Sequence, residues 1–392
     1  MFYKIIVILS SILYRLHSKI DCWIKQNSPK NGYAVFEPYQ VKVNEPKTNI
    51  KIIHVNGNFI IGGSSQLIVD IIEGTSHYFK HKVIVPVLPN PLPYKGIDIY
   101  KFDIFSLTNL YEFLKEEKPD LVHIHFWVRY NFRFDSGSIW YTTIFNICKD
   151  LGIRVIQNVN VPTNPFSSIN ILQNIFVSNY VLENFNDSNV PSNVIYPGSD
   201  FKHFFNKDVE SLPGFCIGMV YRLDKDKLNE DAIEVFIRTV KKSLKVKCLI
   251  VGDGEFLELY KKRVSEENLI ENFIFTSMVS YSELPEYYKK MSVFITPVHD
   301  ESFGQVTPFA MSMGLAVAGY KTGALPEILG SSETLVDYGD IDGLVNIILE
   351  LLNNEEKKVA IGKNNQIRAH QHFSVEKMVE SYLQLYNKVL HT

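Results

Sequence analysis

Short apolar segments alternate with helical segments along most of this chain of 392 residues, and the alternation begins twice. One series starts at residues 50–55 and the other at residues 215–220. Short buried strands separated by helices are typical of parallel βαβ units. Because one compact domain usually holds about 100–200 residues, the two series predict two doubly wound α/β domains. Ligands bind beyond the carboxyl ends of such strands, so we expect a site in the cleft between the two sheets.

The same pattern divides the chain into four parts. Residues 1–47 are predicted to form an N-terminal amphipathic helix and a linker. Residues 48–205 and 206–373 are predicted to form two Rossmann-like domains, and residues 374–392 a C-terminal helix that packs back towards the first domain. Strands are predicted at residues 50–55, 82–87, 97–102, 121–126, 154–159, 175–177 and 193–196, and then at 215–220, 248–251, 273–275, 293–296 and 316–318.

The composition is that of an ordinary globular protein, with 46% hydrophobic and 21% charged residues. The formal net charge of −3 and the lack of a strongly basic domain argue against nucleic acid as a partner. No G-x-G-x-x-G motif follows the first strand of either half, which disfavours a dinucleotide oxidoreductase. The four cysteines form no CxxC pair and have no metal-ligand spacing, so a reduced, cytoplasmic chain is the simplest interpretation.

The N-terminus carries an apolar run over residues 5–14, with basic residues on both sides. The run is too short for a membrane-spanning helix, and no small-residue cleavage site of a signal peptide follows it. Two interpretations stay open: a helix that lies in the membrane interface, which would make the protein peripheral on the inner membrane face, or a helix packed on the first domain.

The stretch 301–327 combines an acidic residue, a glycine and a predicted helix. A strand ends near Pro297, Gly304 lets the backbone approach a ligand, and a helix follows at residues 306–313. Free N–H groups at a helix start favour an anion, and Glu301 would accept hydrogen bonds from hydroxyls. This combination suits a sugar diphosphate, although a plain strand–turn–helix junction with a surface glutamate has the same pattern.

Two cations follow the first strand of the second half, Arg222 and Lys227, five residues apart. Arginine forks onto phosphate oxygens and lysine adds a point charge, so the pair could neutralise a leaving diphosphate. Taken alone, loop cations are more often solvated. The intervening Asp224-Lys225-Asp226 spells a DxD motif, which marks a metal site in some enzymes and which we interpret as incidental here.

These elements together resemble the retaining glycosyltransferases of family 4, whose fold is called GT-B. The family has a Gly-Arg-Leu run with a lysine five residues after the arginine, a Pro-Ser-x-x-Glu-Gly-Phe-Gly run, and a downstream Gly-Gly-x-Pro-Glu. The matching residues are Gly218, Arg222, Leu223, Lys227, Pro297, Glu301, Phe303, Gly304, Gly323, Pro326 and Glu327. The resemblance extends over roughly residues 50–390 and is specific in the C-terminal half.

The resemblance implies a nucleotide-diphosphate sugar held mainly by the second domain. Arg222 and Lys227 would hold the diphosphate, and Glu301 the sugar hydroxyls. The backbone around residues 303–305 (Phe303, Gly304 and Gln305) would complete these contacts, and backbone groups at Val279 would hold the base.

In the first domain, the resemblance makes Gly62-Gly63 the glycine loop near the acceptor and the phosphates, and His125 the active-site histidine. His123, on the same face of its strand, is expected to be structural. One departure matters most: the family's second glutamate, which grips the ribose hydroxyls, is replaced by Phe309. Phenylalanine cannot accept these hydrogen bonds, so ribose must be held otherwise or the donor binds more weakly.

The implied function is transfer of a sugar, with retention, to a glycan or lipid-linked acceptor in surface polysaccharide or glycolipid synthesis. No cofactor and no metal are expected; the partners would be the nucleotide sugar, the acceptor and, through residues 1–25, a membrane surface. Two alternatives stay open. The first is a catalytically weak partner subunit that only binds a sugar nucleotide, which the presence of Phe309 would explain. The second is a nucleotide-sugar epimerase, a class of enzyme that shares the two-domain architecture.

Overall fold

The computed structural model describes residues 38–60, 62–103, 107–127, 136–206 and 215–391. The predicted N-terminal helix and most of the linker therefore lie outside the described residues. Within the described part, every strand pairing is parallel, and the strands form two large sheets and one two-stranded sheet. No helix in these ranges is long and apolar enough to cross a membrane.

The first sheet has seven strands in the order β5-β3-β2-β6-β7-β8-β9. The small sheet pairs β1 with β4 beside it. The strands of this half are β1 (Tyr39–Gln40), β2 (Lys51–Val55), β3 (Lys80–Val85), β4 (Tyr94–Lys95), β5 (Ile99–Lys101), β6 (Leu121–Phe126), β7 (Val155–Val159), β8 (Ile171–Phe176) and β9 (Ser192–Val194). The helices are α1 (Gly63–Thr75), α2 (Leu107–Glu117), α3 (Ser136–Asp150) and α4 (Asn179–Phe185).

The second sheet has six strands in the order β12-β11-β10-β13-β14-β15. Its strands are β10 (Cys216–Val220), β11 (Lys247–Val251), β12 (Phe273–Phe275), β13 (Val293–Thr296), β14 (Ala316–Tyr320) and β15 (Leu335–Val336). The helices are α5 (Ala232–Lys242), α6 (Leu257–Glu266), α7 (Leu284–Tyr288), α8 (Val306–Ser312), α9 (Leu325–Leu329), α10 (Ile341–Asn353), α11 (Glu355–His372) and α12 (Val375–His391).

Both sheets are doubly wound, and the predicted fold class is confirmed. In each, the first strand of the series lies in the middle and the fourth lies beside it, so the strand order reverses there. The central strands β6 and β13 are buried along their whole length, which explains why both are continuous runs of mostly apolar residues.

The helix α11 is absent from the sequence prediction. Its 18 residues are mostly polar, and only Lys358, Gly362, Asn365 and Ala369 are buried. The helix begins because Asn354 accepts a hydrogen bond from the backbone N–H of Lys357 at 2.9 Å. Because the helix buries only a small face, its sequence has no apolar stripe, and hydrophobic periodicity does not predict it.

The C-terminal helix α12 contacts the first sheet and α1. The Tyr386 hydroxyl lies 2.8 Å from His123 Nδ1, and the Tyr382 hydroxyl accepts a hydrogen bond from Asn158 at 2.6 Å. The side chain of Val379 lies against Gly74 of α1. Residues from the end of the chain therefore complete the core of the half that is made from its beginning.

Candidate functional site

The candidate site lies where the strand order of each sheet reverses. In the second sheet the neighbouring strands β10 and β13 end at Val220 and Thr296, and the loops that follow them carry the predicted cations and Glu301. In the first sheet β2 and β6 are neighbours, and the glycine loop leaves the carboxyl end of β2. Carboxyl ends of neighbouring parallel strands at a reversal point form the usual ligand crevice of doubly wound sheets.

Lys227 and Glu301 form a largely buried ion pair. The distance between Lys227 Nζ and Glu301 Oε1 is 2.7 Å, and the exposed fractions of the two side chains are 24% and 2%. The ammonium group also donates to the Asp300 carbonyl at 3.4 Å, which leaves it one further N–H. Glu301 Oε2 is buried and has no hydrogen-bond partner within the part of the chain that the structure describes. The pair therefore offers one acceptor oxygen and one cationic donor to a ligand.

Two glycines hold Glu301 in place. Gly304 and Gly323 have φ values of 72° and 53°, in the left-handed region that favours glycine. A Cβ on Gly304 would overlap the Glu301 carboxylate, and a Cβ on Gly323 would overlap the Glu301 carbonyl. That carbonyl accepts a hydrogen bond from the Ala324 N–H at 2.8 Å. The close approach of these backbones explains the predicted need for glycine at both positions.

Arg222 lies on the same loop as Lys227 but makes different contacts. Its guanidinium donates to Asp226 at 2.6 Å and lies 3.5 Å from Asp224, and 67% of its side chain is exposed. The DxD carboxylates are therefore paired with Arg222, and Asp224 also accepts the Glu255 N–H at 3.0 Å. The structure thus brings Lys227 and Glu301 together and leaves Arg222 paired within its own loop.

The glycine loop of the first half faces the start of α8. A Cβ on Gly63 would lie 3.4 Å from Gln305 Oε1, whereas a Cβ on Gly62 would meet nothing within 4 Å. Gln305 donates to the Gly198 carbonyl at 2.7 Å instead of capping its own helix. The contact brings the two predicted donor-binding segments next to each other.

Phe303 and Val279 contribute differently. The Phe303 ring is buried, with its centroid 5.7 Å from that of Tyr196 and 5.4 Å from that of Phe373. Its side chain is therefore part of the core. Val279 follows β12 and is half-buried against the core of the second half.

Phe309 lies in an aromatic stack. Its ring is parallel to that of Phe204, with centroids 3.9 Å apart and planes 9° from each other, and Tyr281 meets it edge-on at 6.0 Å. The residue is 6% exposed. Where the resemblance expects a carboxylate for ribose, the chain has a packed aromatic side chain without polar atoms.

His125 is fully buried at the end of β6, and its Nε2 lies 3.2 Å from Nδ1 of His54. Burial holds the pKa of the His125 imidazole well below its usual range, so the ring is neutral. His123 bonds Asn158 at 2.8 Å as well as Tyr386, as expected for a structural histidine. His54, His123 and His125 together offer nitrogen atoms within 4.8 Å of one another, a grouping that the sequence conceals because His54 lies on a different strand.

Glu327 is a residue whose role the sequence did not reveal. Its carboxylate accepts hydrogen bonds from the Asn179 N–H at 2.8 Å, the Tyr180 N–H at 3.0 Å and the Tyr196 hydroxyl at 2.6 Å. It therefore binds the start of α4 to the second half of the chain. The Gly-x-x-Pro-Glu pattern marks this glutamate in the sequence, but its partners lie more than a hundred residues away.

Part of the chain matches known glycosyltransferase sequences. Residues 200–368 match the family of glycosyl transferases group 1. The capsular polysaccharide biosynthesis glycosyltransferase CapM of Staphylococcus aureus is 30% identical over 181 residues, which are 45% of this chain and 47% of CapM. N-acetyl-alpha-D-glucosaminyl L-malate synthase of Bacillus anthracis is 26% identical over 42% of this chain and 43% of its own. The chain thus spans about half the length of the curated relatives it matches.

Solved structures share the fold over most of the chain. Sucrose-phosphate synthase from Thermosynechococcus elongatus superposes with a TM-score of 0.69 and 17% identity, covering 88% of this chain and all of that one. Anabaena HepE in complex with UDP and glucose superposes with a TM-score of 0.68 and 16% identity, covering 87% of this chain and all of HepE. Residues 200–368 are thus similar to the group 1 glycosyltransferases, and the chain has the two-sheet GT-B fold.

Proposed function

We propose that this protein transfers a sugar from a nucleoside-diphosphate sugar to a glycan or lipid-linked acceptor, with retention of configuration. The ion pair of Lys227 with Glu301 carries the proposal. Its free ammonium N–H suits a phosphate oxygen, and its free Oε2 suits a sugar hydroxyl. The Glu301 carboxylate is already removed from water, so it can accept a hydroxyl hydrogen bond without further cost of desolvation.

In the proposed reaction, the bond between the anomeric carbon and the diphosphate oxygen breaks, and positive charge spreads over the sugar ring. Lys227 and Arg222 stabilise the negative charge that gathers on the leaving diphosphate. The acceptor hydroxyl attacks from the same face, and its proton passes to the departing phosphate oxygen. No pair of carboxylates at the spacing of a glycosidase is required.

Arg222 has to change partner for this role. In the structure its guanidinium is held by Asp226 and Asp224. Exposed ion pairs of this kind are worth only about 0–1 kcal/mol, so a diphosphate with two charges can displace the carboxylates. We propose that Arg222 turns from Asp226 to the donor when the donor binds.

The named relatives support a role in surface glycan or glycolipid synthesis. CapM is described as an enzyme of capsular polysaccharide biosynthesis, and a further relative, from Mycolicibacterium smegmatis, is described as a GDP-mannose-dependent phosphatidylinositol monomannoside mannosyltransferase. HepE was solved with UDP-glucose. These names favour a nucleotide-sugar donor and a polymeric or lipid acceptor for the present chain as well.

The assignment is tested by a thermal-shift screen with UDP-, GDP-, dTDP- and ADP-sugars, followed by transfer and hydrolysis assays with the stabilising donor. We expect Lys227→Ala and Arg222→Ala to lower kcat/KM by about 100-fold or more, because each removes charge stabilisation of the leaving group. Lys225→Ala is the matched control, since this exposed lysine lies in the same loop. Near-normal turnover in both site variants would refute the assignment, and conversion of the donor without any acceptor would indicate an epimerase.

We further propose that residues 1–25 bind the cytoplasmic face of a membrane, because the apolar run is flanked by basic residues. Sedimentation with anionic liposomes should pull down the full chain but not a chain that starts near Pro46. Equal sedimentation of both proteins would contradict membrane binding by this segment.

A further inference from the structure

Three buried histidines and one half-buried histidine, His81, lie on one face of the first sheet, where α1 and α12 cover it. His54 lies on β2, His81 on β3, and His123 and His125 on β6. Three of them form a row with a threonine at its far end. His125 Nε2 is 3.2 Å from His54 Nδ1, His54 Nε2 is 3.0 Å from His81 Nδ1, and His81 Nε2 is 3.0 Å from the hydroxyl of Thr75.

Thr75 decides the direction of every hydrogen bond in this row. A hydroxyl has one proton, and that of Thr75 is donated to the Ile71 carbonyl at 2.6 Å. The hydroxyl therefore accepts from His81, which must carry its proton on Nε2. Burial lowers the pKa of His81 to about 3, so the ring has no second proton and its Nδ1 is an acceptor.

The direction of the remaining hydrogen bonds in the row follows in the same way. His54 donates from Nε2 to the bare Nδ1 of His81, and burial keeps the pKa of His54 well below its usual range, so its own Nδ1 is bare. His125 must then donate from Nε2 to His54, which leaves His125 with an unprotonated Nδ1. That atom is buried and is without a hydrogen-bond partner among the described residues.

His123 does not take part in the row. Its Nε2 donates to Asn158 and its Nδ1 accepts from Tyr386, both at 2.8 Å, so both of its nitrogens are used. A metal ion bound by His54, His123 and His125 would have to replace several of these bonds, whereas the hydrogen-bond pattern satisfies every ring nitrogen of the four residues except one.

We propose that Thr75, His81 and His54 are positioning residues that set the tautomer of His125, so that its Nδ1 accepts a hydrogen bond from a hydroxyl of the bound sugar or acceptor. His125 ends the row at the carboxyl edge of the sheet, where the glycine loop also leaves β2. The row thus connects that edge with the last turn of α1. The inference rests on the proposed function for the identity of the hydroxyl, but not for the tautomer itself.

The tautomer is measured directly by long-range 1H–15N correlation spectra of the full chain labelled at histidine. In the ligand-free protein we expect the His125 resonances of an unprotonated Nδ1 and a protonated Nε2, assigned by comparison with a His125→Gln variant. A protonated Nδ1 on His125 would overturn the inference. So would stoichiometric zinc in the purified protein that is lost in His54→Gln, because the metal would then occupy the nitrogen that receives the His125 proton.

The pair Thr75→Val and Thr75→Ser tests the positioning role. Valine has nearly the same shape but no acceptor, so we expect a mixture of His125 tautomers and a kcat lowered by about tenfold, the value of one lost hydrogen bond. Serine restores the hydroxyl and should return both the spectrum and kcat. A valine variant with the wild-type spectrum would contradict the inference.

The proposed transferase activity and the proposed positioning of His125 can be refuted independently of each other. The spectra need no turnover, so an inactive protein with the expected His125 tautomer would refute the transferase assignment and leave the positioning row in place. An active protein whose His125 carries its proton on Nδ1 would do the reverse. Thermal unfolding of both threonine variants checks that the comparison is made between folded proteins.

Discussion

At the scale of single residues, Glu301 is the centre of the candidate site. Its carboxylate is almost completely buried, with Lys227 on one oxygen and no hydrogen-bond partner on the other among the residues that the structure describes. The position of this buried carboxylate depends on the packing of neighbouring residues as well as on its ion pair, and these neighbours include residues without a polar side chain. Gly304 is the neighbour whose Cα lies against the carboxylate.

We expect Gly304→Ala to lower kcat/KM by about 100-fold, because the new methyl group displaces a carboxylate that has to be positioned within fractions of an ångström. Gly152→Ala is the control. Gly152 has a similar φ of 66°, but a Cβ there meets nothing within 4 Å. Both variants should lose about 1–2 kcal/mol of stability from the strained backbone. Equal activity of the two variants would show that Glu301 does not need its present position.

At the scale of elements, the two halves are joined through short segments at the crevice. Glu327 at the start of α9 binds the start of α4, and the Ser178 hydroxyl donates to the Ser302 carbonyl at 2.7 Å. These bonds fix the loop of Glu301 to the first half. The sequence predicted the strand and the helix on either side of this loop, but not the α4 segment that it touches, because a helix of seven residues leaves little periodicity.

We expect Glu327→Gln to lower the free energy of unfolding by about 1–3 kcal/mol, because the amide presents a donor to N–H and O–H groups that need an acceptor. Glu333→Gln is the matched control, since this carboxylate makes an exposed ion pair with Lys357 at 3.0 Å. Urea denaturation of the three proteins measures the difference. A Glu327 variant as stable as the Glu333 variant would mean that the α4 contact contributes little.

At the scale of the whole molecule, the four clustered histidines of the first sheet tie stability to pH. Burial lowers the pKa of His123 to about 4 and that of His81 to about 3, and it holds the pKa values of His54 and His125 well below their usual range. The unfolded chain binds these protons near pH 6.5 and the folded chain does not. Their contribution to stability is therefore complete above pH ~6.5 and is lost as the pH falls towards 4 and below.

We expect the free energy of unfolding to fall between pH 7.5 and pH 5, by up to about 1.4 kcal/mol per pH unit for each histidine. Asp70 opposes this trend, because burial raises the pKa of its carboxyl to about 8, but one carboxyl is outweighed by four imidazoles. Urea unfolding across this range measures the slope. The variant His81→Gln should have a smaller slope of unfolding free energy against pH, whereas His77→Gln, at an exposed position, should not. An unchanged slope in His81→Gln would contradict the assignment of this pH dependence to the clustered histidines.

Local patterns were sufficient to predict the fold class and to select the candidate site residues. Strands show as short apolar runs because both faces of each sheet are covered, and Arg222, Lys227 and Glu301 stand out because they follow strand ends. Boundaries moved by a few residues: the helix predicted at residues 306–313 spans Val306–Ser312. Such features depend on neighbours along the chain, which a sequence displays directly.

Only the tertiary structure decided which polar side chains pair with each other. Lys227 and Glu301 were predicted to bind different parts of a donor, yet they bind each other across 74 positions of sequence. His123 meets Tyr386 across 263 positions, and His54 meets His125 because β2 and β6 are neighbours in a sheet whose strand order no local pattern records. The sequence by itself determined which chemical groups stand at the strand ends. The order of the strands and the return of α12 to the first sheet decided which of these groups touch, because burial forces each polar side chain to find a partner wherever the fold brings one.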